Sequence, residues 1–271
     1  MPASRLDSAF TPSAPPVAPT LWAALGLIAL YFVLQYLVGA VVGLLVGVTV
    51  GLLHGLHHGE ALAQIQQWLV QPDVNALMVI LTLLITATVT LLLARRRWPA
   101  LWTLSAPPGF GFARASQPGY YALAFALGLM LPFLGGLLTQ WFARGHEVSQ
   151  DIKQLGAAAS PLLRMPLALL VVTVGPLVEE LLFRGVLFSA ALRYASPGVA
   201  MFITAALFAC VHLPDLGFLW YALPNLLVLG MVLAWLRLAS GSVWPAVLAH
   251  AVNNVLAVVS WFLVSGQTPG A

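Results

Sequence analysis

Two adjacent acids and a base stand in an otherwise apolar stretch. Glu179, Glu180 and Arg184 lie within residues 165–193, MPLALLVVTVGPLVEELLFRGVLFSAALR. Ionisable side chains at membrane depth are costly, and they persist where they pair, line a polar cavity or take part in chemistry. Glu180 and Arg184 are four apart, so on a helix they share a face and neutralise each other. Glu179 is rotated from Glu180 by about 100° on a 3.6-residue helix and keeps an uncancelled charge. Further polar groups recur in separate apolar runs: His212, and His250 with Asn254 one helical turn later. Asn253 points about 100° away from Asn254 and is the weaker candidate. A carboxylate, two imidazoles and an amide on neighbouring helices make a hydrolase's set: a base to deprotonate water and donors to hold a developing oxyanion.

The elements that must position these groups are membrane helices. Hydrophobic residues make up 61% of the 271, and charged residues only 7%. A soluble domain carries about a quarter charged residues, which excludes a water-exposed globule. No basic face interleaved with aromatics suggests nucleic-acid binding. The single cysteine, Cys210, excludes an intramolecular disulfide.

Residues 1–19, rich in Pro, Ala and Ser, are expected to be a disordered tail. Apolar runs of roughly 20 residues are expected at about 21–53, 75–94, 120–143, 165–192, 197–213, 222–239 and 243–264. The expected fold is therefore an all-α polytopic transmembrane bundle of about seven spans, within a range of six to eight. N-terminal membrane helices and loops occupy 20–119, and a bundle carrying the polar groups occupies 120–264. Residues 54–73 are expected to form a loop with a short surface helix around 60–70. A cytoplasmic N-terminus places Arg5, Arg95, Arg96, Arg97, Arg114, Arg193 and Arg237 inside and Arg144, Lys153 and Arg164 outside, in line with the positive-inside rule. Trp98, Trp102, Trp141 and Trp244 fall near expected span ends, as interfacial aromatics do.

The motifs carry a resemblance. Glu179-Glu180-Leu-Leu-Phe-Arg184 resembles an EExxxR motif, Phe208-Ala-Cys-Val-His212 an FxxxH motif, and His250-Ala-Val-Asn-Asn254 an HxxxN motif. In this order they resemble the CPBP family of intramembrane proteases, also called the CAAX protease and bacteriocin-processing (Abi) family. The resemblance covers roughly residues 120–264. It implies peptide-bond hydrolysis in or at the membrane, with Glu179 as the base that activates water, assisted by His212. His250 and Asn254 are implied to stabilise the oxyanion, and Glu180 and Arg184 to organise the site, with Phe208 packed beside His212. The implied substrates are membrane-associated peptides, prenylated CAAX proteins or bacteriocin-like peptides, and the implied setting is a bacterial plasma membrane.

Competing readings attach to the same residues. Glu179, His212 and His250 also form a two-His, one-carboxylate set that leaves one position for water on Zn2+. The amide beside His250 suits an oxyanion better than a metal, so the expectation is a metal-free site with no cofactor. Buried Glu and His also build proton relays, so a proton-coupled transporter is one rival; a non-catalytic immunity or scaffold protein is the other. His54, His57 and His58 read as a solvated loop, because no acid or cysteine completes a metal site there. Arg95–Arg97 reads as a topology anchor on anionic lipid. Asp215 is expected to cap the turn after Pro214. Cys210 lies about 200° around a helix from His212, poor geometry for a Cys–His dyad.

Overall fold

The computed structural model describes residues 17–53, 61–146 and 151–264. The expectations for the tail through residue 16 and for His54, His57 and His58 fall outside the described residues. No strand occurs among the described residues. Among the described residues, six helical legs are long and apolar enough to cross a membrane. They are α1 (Leu21–Leu53), α3 (Pro72–Arg97), α4 (Gly119–Ala143), the composite leg Pro161–Ala191, α10 (Leu223–Ser240, preceded by the turn Trp220–Ala222) and α11 (Trp244–Val264). A short α2 (Ala61–Leu69) follows α1, and α5 (Asp151–Ala158) precedes the composite leg.

A seventh leg, α9 (Pro197–Cys210), has 14 residues. At 1.5 Å per residue it rises about 21 Å, short of the ~30 Å hydrocarbon core. It packs along α10 and runs from one end of the bundle towards the other. The expected span of 197–213 therefore ends early as a helix, and His212 lies beyond it in a turn.

Hydrogen bonds sort the connections into two ends. At one, Arg193 donates to the carbonyls of Ala18 and Pro19, Ser116 N–H to Ser240 and Val243 N–H to Gly111. Arg237, 1% exposed, holds the loop after α3 by donating to the carbonyls of Ser105 and Gly109. Gly111 sits at φ +79 against that guanidinium, where a Cβ would collide. An aromatic cap closes this end: Trp102 stacks on Phe112 at 4.2 Å, and Phe112 meets Trp244 edge-on. Such amphipathic rings suit the headgroup level. At the opposite end Ser160 N–H donates to Asp73, and Phe142 packs on Trp220. Asp215 does not cap its own turn: its carbonyl and carboxylate accept the N–H groups of Asp151 and Ile152, so it caps α5.

The leg expected as one helix at 165–192 is interrupted. It begins as α6 (Pro161–Val172), breaks at Thr173 (φ −118°, ψ −66°), and resumes as α7 (Val174–Glu180). Pro176 has no N–H to offer the preceding turn, which fits the break. From Leu181 to Leu187 the chain winds as a π-helix, then returns to α as α8 (Phe188–Ala191). Wide turns of this kind are uncommon and frequently sit at functional sites. Every residue of the π segment is buried.

The N-terminal half is not a separate layer. Ala24, Leu27, Ile28 and Tyr31 of α1 share one core with Val178, Leu181, Leu182, Phe208, Leu229 and Ala249. With lipid outside as apolar as the interior, small residues that permit close helix contact matter most. A Cβ on Gly230 of α10 would lie 2.8 Å from that of Ala205 on α9, and one on Gly128 of α4 would lie 2.6 Å from the Ala249 carbonyl on α11. Gly26 of α1 has nothing within 4 Å. Gly230→Val is expected to destabilise the bundle by about 1–3 kcal/mol through overpacking, read as a lower midpoint of thermal unfolding in detergent. Gly26→Ala should not lower it.

Candidate active site

Glu179 and Glu180 close α7, and their environments differ. Glu180 is fully buried. One of its oxygens, Oε1, accepts two bonds: from Arg184 Nη1 at 2.9 Å and from His250 Nδ1 at 2.9 Å. Arg184, also fully buried, donates through Nη2 to the Gly230 carbonyl and lies 4.4 Å from the centroid of the Phe208 ring. The i,i+4 pair inferred from spacing thus forms across the junction of α7 and the π segment. Its extension to His250 on α11 was not legible in the spacing, because it joins residues 70 positions apart.

Glu179 turns the other way. Its side chain is 25% exposed and faces a cavity of about 1110 Å³. No described guanidinium or ammonium lies within ion-pair distance of it. Its Oε2 lies 3.9 Å from His212 Nε2 and 3.8 Å from His250 Nε2, and has no direct hydrogen-bond partner. These separations exceed a direct hydrogen bond and suit a bridging water.

The ring partners fix the imidazole roles. His212 Nδ1 lies 2.7 Å from the Phe208 carbonyl, so that nitrogen carries the proton and Nε2 turns a lone pair towards Glu179. His250 Nδ1 likewise donates to Glu180. Two carboxylates and one guanidinium leave one uncompensated negative charge in the cluster, which a second proton on His250 would cancel. That proton would make Nε2 a donor aimed at the space beside Glu179. Phe208 is the common wall: its ring centroid lies 4.8 Å from that of His212 and 5.7 Å from that of His250.

Asn254 also lines the cavity; one N–H donates to the Val171 carbonyl at 3.0 Å, which leaves the other. Asn253, the weaker candidate by spacing, lines the same cavity and donates to Asn254 Oδ1. Gln35, Asn75, Gln140 and Asn225 contribute further carboxamides to the wall from four other helices. Gly135 makes room for Asn225, since a Cβ there would run into that side chain. These residues escaped the motif reading because each is the one carboxamide in its own segment; their signal is the segment they interrupt. At the cavity's outer rim, burial pushes the Asp215 carboxyl above its ordinary range, opposed by the Ile152 N–H bond and the nearby His212 and Lys153. Burial pushes the Lys153 ammonium down, and Asp215 opposes that shift.

Glu179 Oε2 stands 3.9 Å from His212 Nε2 and 3.8 Å from His250 Nε2, wider than the spacing of atoms around a bound zinc. Ligand atoms at ~2.1 Å around a tetrahedral zinc stand roughly 3.4 Å apart, closer than the separations of Glu179 Oε2 from the two imidazoles. No group of three His, Cys, Asp or Glu among the described residues is arranged to hold a metal ion. Cys210 is exposed and free, outside the cavity lining.

The two acids should separate in their effect on stability. Arg184→Met leaves the Glu180 carboxylate buried without its cation, at an expected cost of about 3–5 kcal/mol, read as loss of folded protein in detergent. Glu179→Gln, facing the cavity, should leave thermal unfolding near the parent value.

No curated protein and no solved structure matches the chain. Residues 161–256, from the first turn of α6 to two residues past Asn254, match the family model described as type II CAAX prenyl endopeptidase Rce1-like. That span contains all three motifs, and six long apolar legs carry the chain through a membrane. Through this segment, about a third of its length, the chain is similar to the Rce1-like endopeptidases, and its six long apolar legs make it a multi-pass integral membrane protein.

Proposed function

We propose that the protein hydrolyses peptide bonds of membrane-associated substrates with a water activated by Glu179, without a metal or other cofactor. The observation that carries this reading is the unpartnered Oε2 of Glu179, one water's width from two imidazole nitrogens. A water held there donates one proton to Glu179 and the other to His212 Nε2, leaving its lone pairs free to attack. Glu179 takes the proton as oxygen bonds to the carbonyl carbon. The oxyanion is met by the protonated His250 Nε2 and the second N–H of Asn254, and donors aimed at developing charge count most in a site shielded from bulk water. Collapse breaks the C–N bond, and Glu179 returns its proton to the leaving amine. Glu180 and Arg184 act by holding His250.

The walls suit a peptide. A carboxamide both donates and accepts, as a peptide unit does, and the cavity carries six of them on five helices. Phe133 of α4 lines the cavity and is 67% exposed, so the cavity carries an apolar, accessible side chain as well as its carboxamides. This supports a substrate held at the membrane, prenylated CAAX or bacteriocin-like peptides being the classes the resemblance implies.

In liposomes carrying a membrane-tethered peptide, Glu179→Gln should lower kcat by about 10²–10⁴, the usual contribution of a positioned general base. Cys210→Ala and exhaustive chelation should leave the rate unchanged. Loss of cleavage on chelation, restored by zinc, would replace the metal-free mechanism. Solute flux that depends on Glu179, with no peptide cut, would favour the transporter.

A further inference from the structure

Glu179, His212, His250 and Asn254 all come from the family-like segment, residues 161–256, and α1 lies outside it. Yet α1 reaches the same cavity: Tyr31, Phe32 and Gln35 line it together with Glu179. Tyr31 and Gln35 are four apart and so share one face of the helix.

Tyr31 is divided between two environments. Its side chain belongs to the core shared with Val178, Leu181 and Phe208, and its ring meets Phe32 edge-on at 5.3 Å. The residue is only 3% exposed. Its hydroxyl nevertheless makes no hydrogen bond to any described residue, and it opens on the cavity. Glu179 lies near enough for its charge to act on that hydroxyl, without a hydrogen bond between the two. The Gln35 carboxamide, half-buried one turn on, likewise makes no hydrogen bond to a described residue. Buried polar groups in folded proteins are nearly all paired. A ligand that displaces water from these two has to offer equivalent bonds.

Their spacing names the ligand. Four residues of α-helix rise ~6 Å. In an extended peptide, residues two apart turn their N–H and C=O groups the same way and stand about 6.6 Å apart. A hydroxyl and a carboxamide each donate and accept. Each can therefore meet a peptide unit through whichever group faces the helix.

We infer that α1 is a peptide-binding helix, on which Tyr31 and Gln35 hold the backbone of an extended chain at two positions two residues apart. The peptide site stands on the cavity and the helix face; that its occupant is a substrate, with the scissile bond beside Glu179, rests on the proteolytic reading. Because backbone is what these groups meet, this face sets the conformation and register of the peptide and tolerates varied side chains.

The test uses the full chain in liposomes, with a farnesylated CAAX-type peptide carrying a fluorophore as the probe. Affinity is read as energy transfer to a dye on Cys210, the single cysteine, in Glu179→Gln protein, so that binding is scored without turnover. Cleavage kinetics are read with Glu179 intact. Tyr31→Phe keeps the ring and Gln35→Met the length of the side chain, so thermal unfolding should stay near the parent value. Each is expected to weaken binding and raise KM about 3- to 10-fold, the worth of one neutral hydrogen bond, with less effect on kcat. Tyr36→Phe, at a position 71% exposed, is the control and should change neither. Single amide-to-ester replacements along the peptide then locate each contact. The replacement that abolishes the effect of Tyr31→Phe and the one that abolishes the effect of Gln35→Met should lie two residues apart. Unchanged affinity in either variant, a loss confined to kcat, or contacts that are not two residues apart would overturn the inference. So would a Glu179→Gln protein that does not bind the peptide. A peptide bound through Tyr31 and Gln35 but never cut by the parent protein counts against the proteolytic reading and leaves the peptide site established.

Discussion

A carboxylate that is fully buried has to be neutralised by its neighbours, and Glu180 sets that requirement for the rest of the site. Removing such a charge from water costs several kcal/mol per ion, recovered only with close partners and satisfied hydrogen bonds. Arg184 answers from the next turn and His250 from the last helix, both at 2.9 Å from the same oxygen. Arg184 is in turn held by the Gly230 carbonyl and the face of Phe208. One ion therefore ties α7, the π segment, α9, α10 and α11 together. Removing either partner disturbs helix packing as well as charge.

The interrupted helix belongs to the same arrangement. A straight α-helix from 161 to 191 would carry Glu179, Glu180 and Arg184 on one regular cylinder. Here α7 is offset from α6 by the break at Thr173, and the winding widens to π immediately after Glu180. The two adjacent acids share the last turn of α7, about 100° apart, and so meet different surroundings. Such irregular backbone is tolerated at membrane depth where it is buried in protein or lines a polar cavity, and every residue of the π segment is buried.

Much of this was legible in the sequence, for physical reasons that mark its limits. Long apolar runs mark membrane legs because a helix satisfies its own backbone in lipid, so α1, α3, α4, α10 and α11 fall where expected. The short α9 was harder, since Val211, His212 and Leu213 extend the apolar run past the helix's end at Cys210. His212 and His250 sit near opposite ends of their own segments, yet both face Glu179. The motif residues could be picked out because charge in oil is rare. The carboxamides on α1, α3, α4 and α10 could not, because a neutral side chain in an apolar segment is common enough to pass for interhelical glue. His250's bond to Glu180 was hidden for another reason: spacing rules report one helix at a time.

The contrast between the two acids has a consequence for the chemistry. A carboxylate already holding an arginine and a histidine through Oε1 is a poor base, because taking up a proton would remove the charge that strengthens both bonds. Glu180 is therefore suited to holding an imidazole and unsuited to accepting a proton from water. Glu179 has the opposite balance: a quarter exposed, facing the cavity, with Oε2 uncommitted and two ring nitrogens beyond direct reach. A proton gained there breaks no existing bond. The charge deleted at Glu179 on protonation reappears on the oxyanion that forms beside it. The net charge of the buried group is conserved through the attack, which makes a low-dielectric setting compatible with the step.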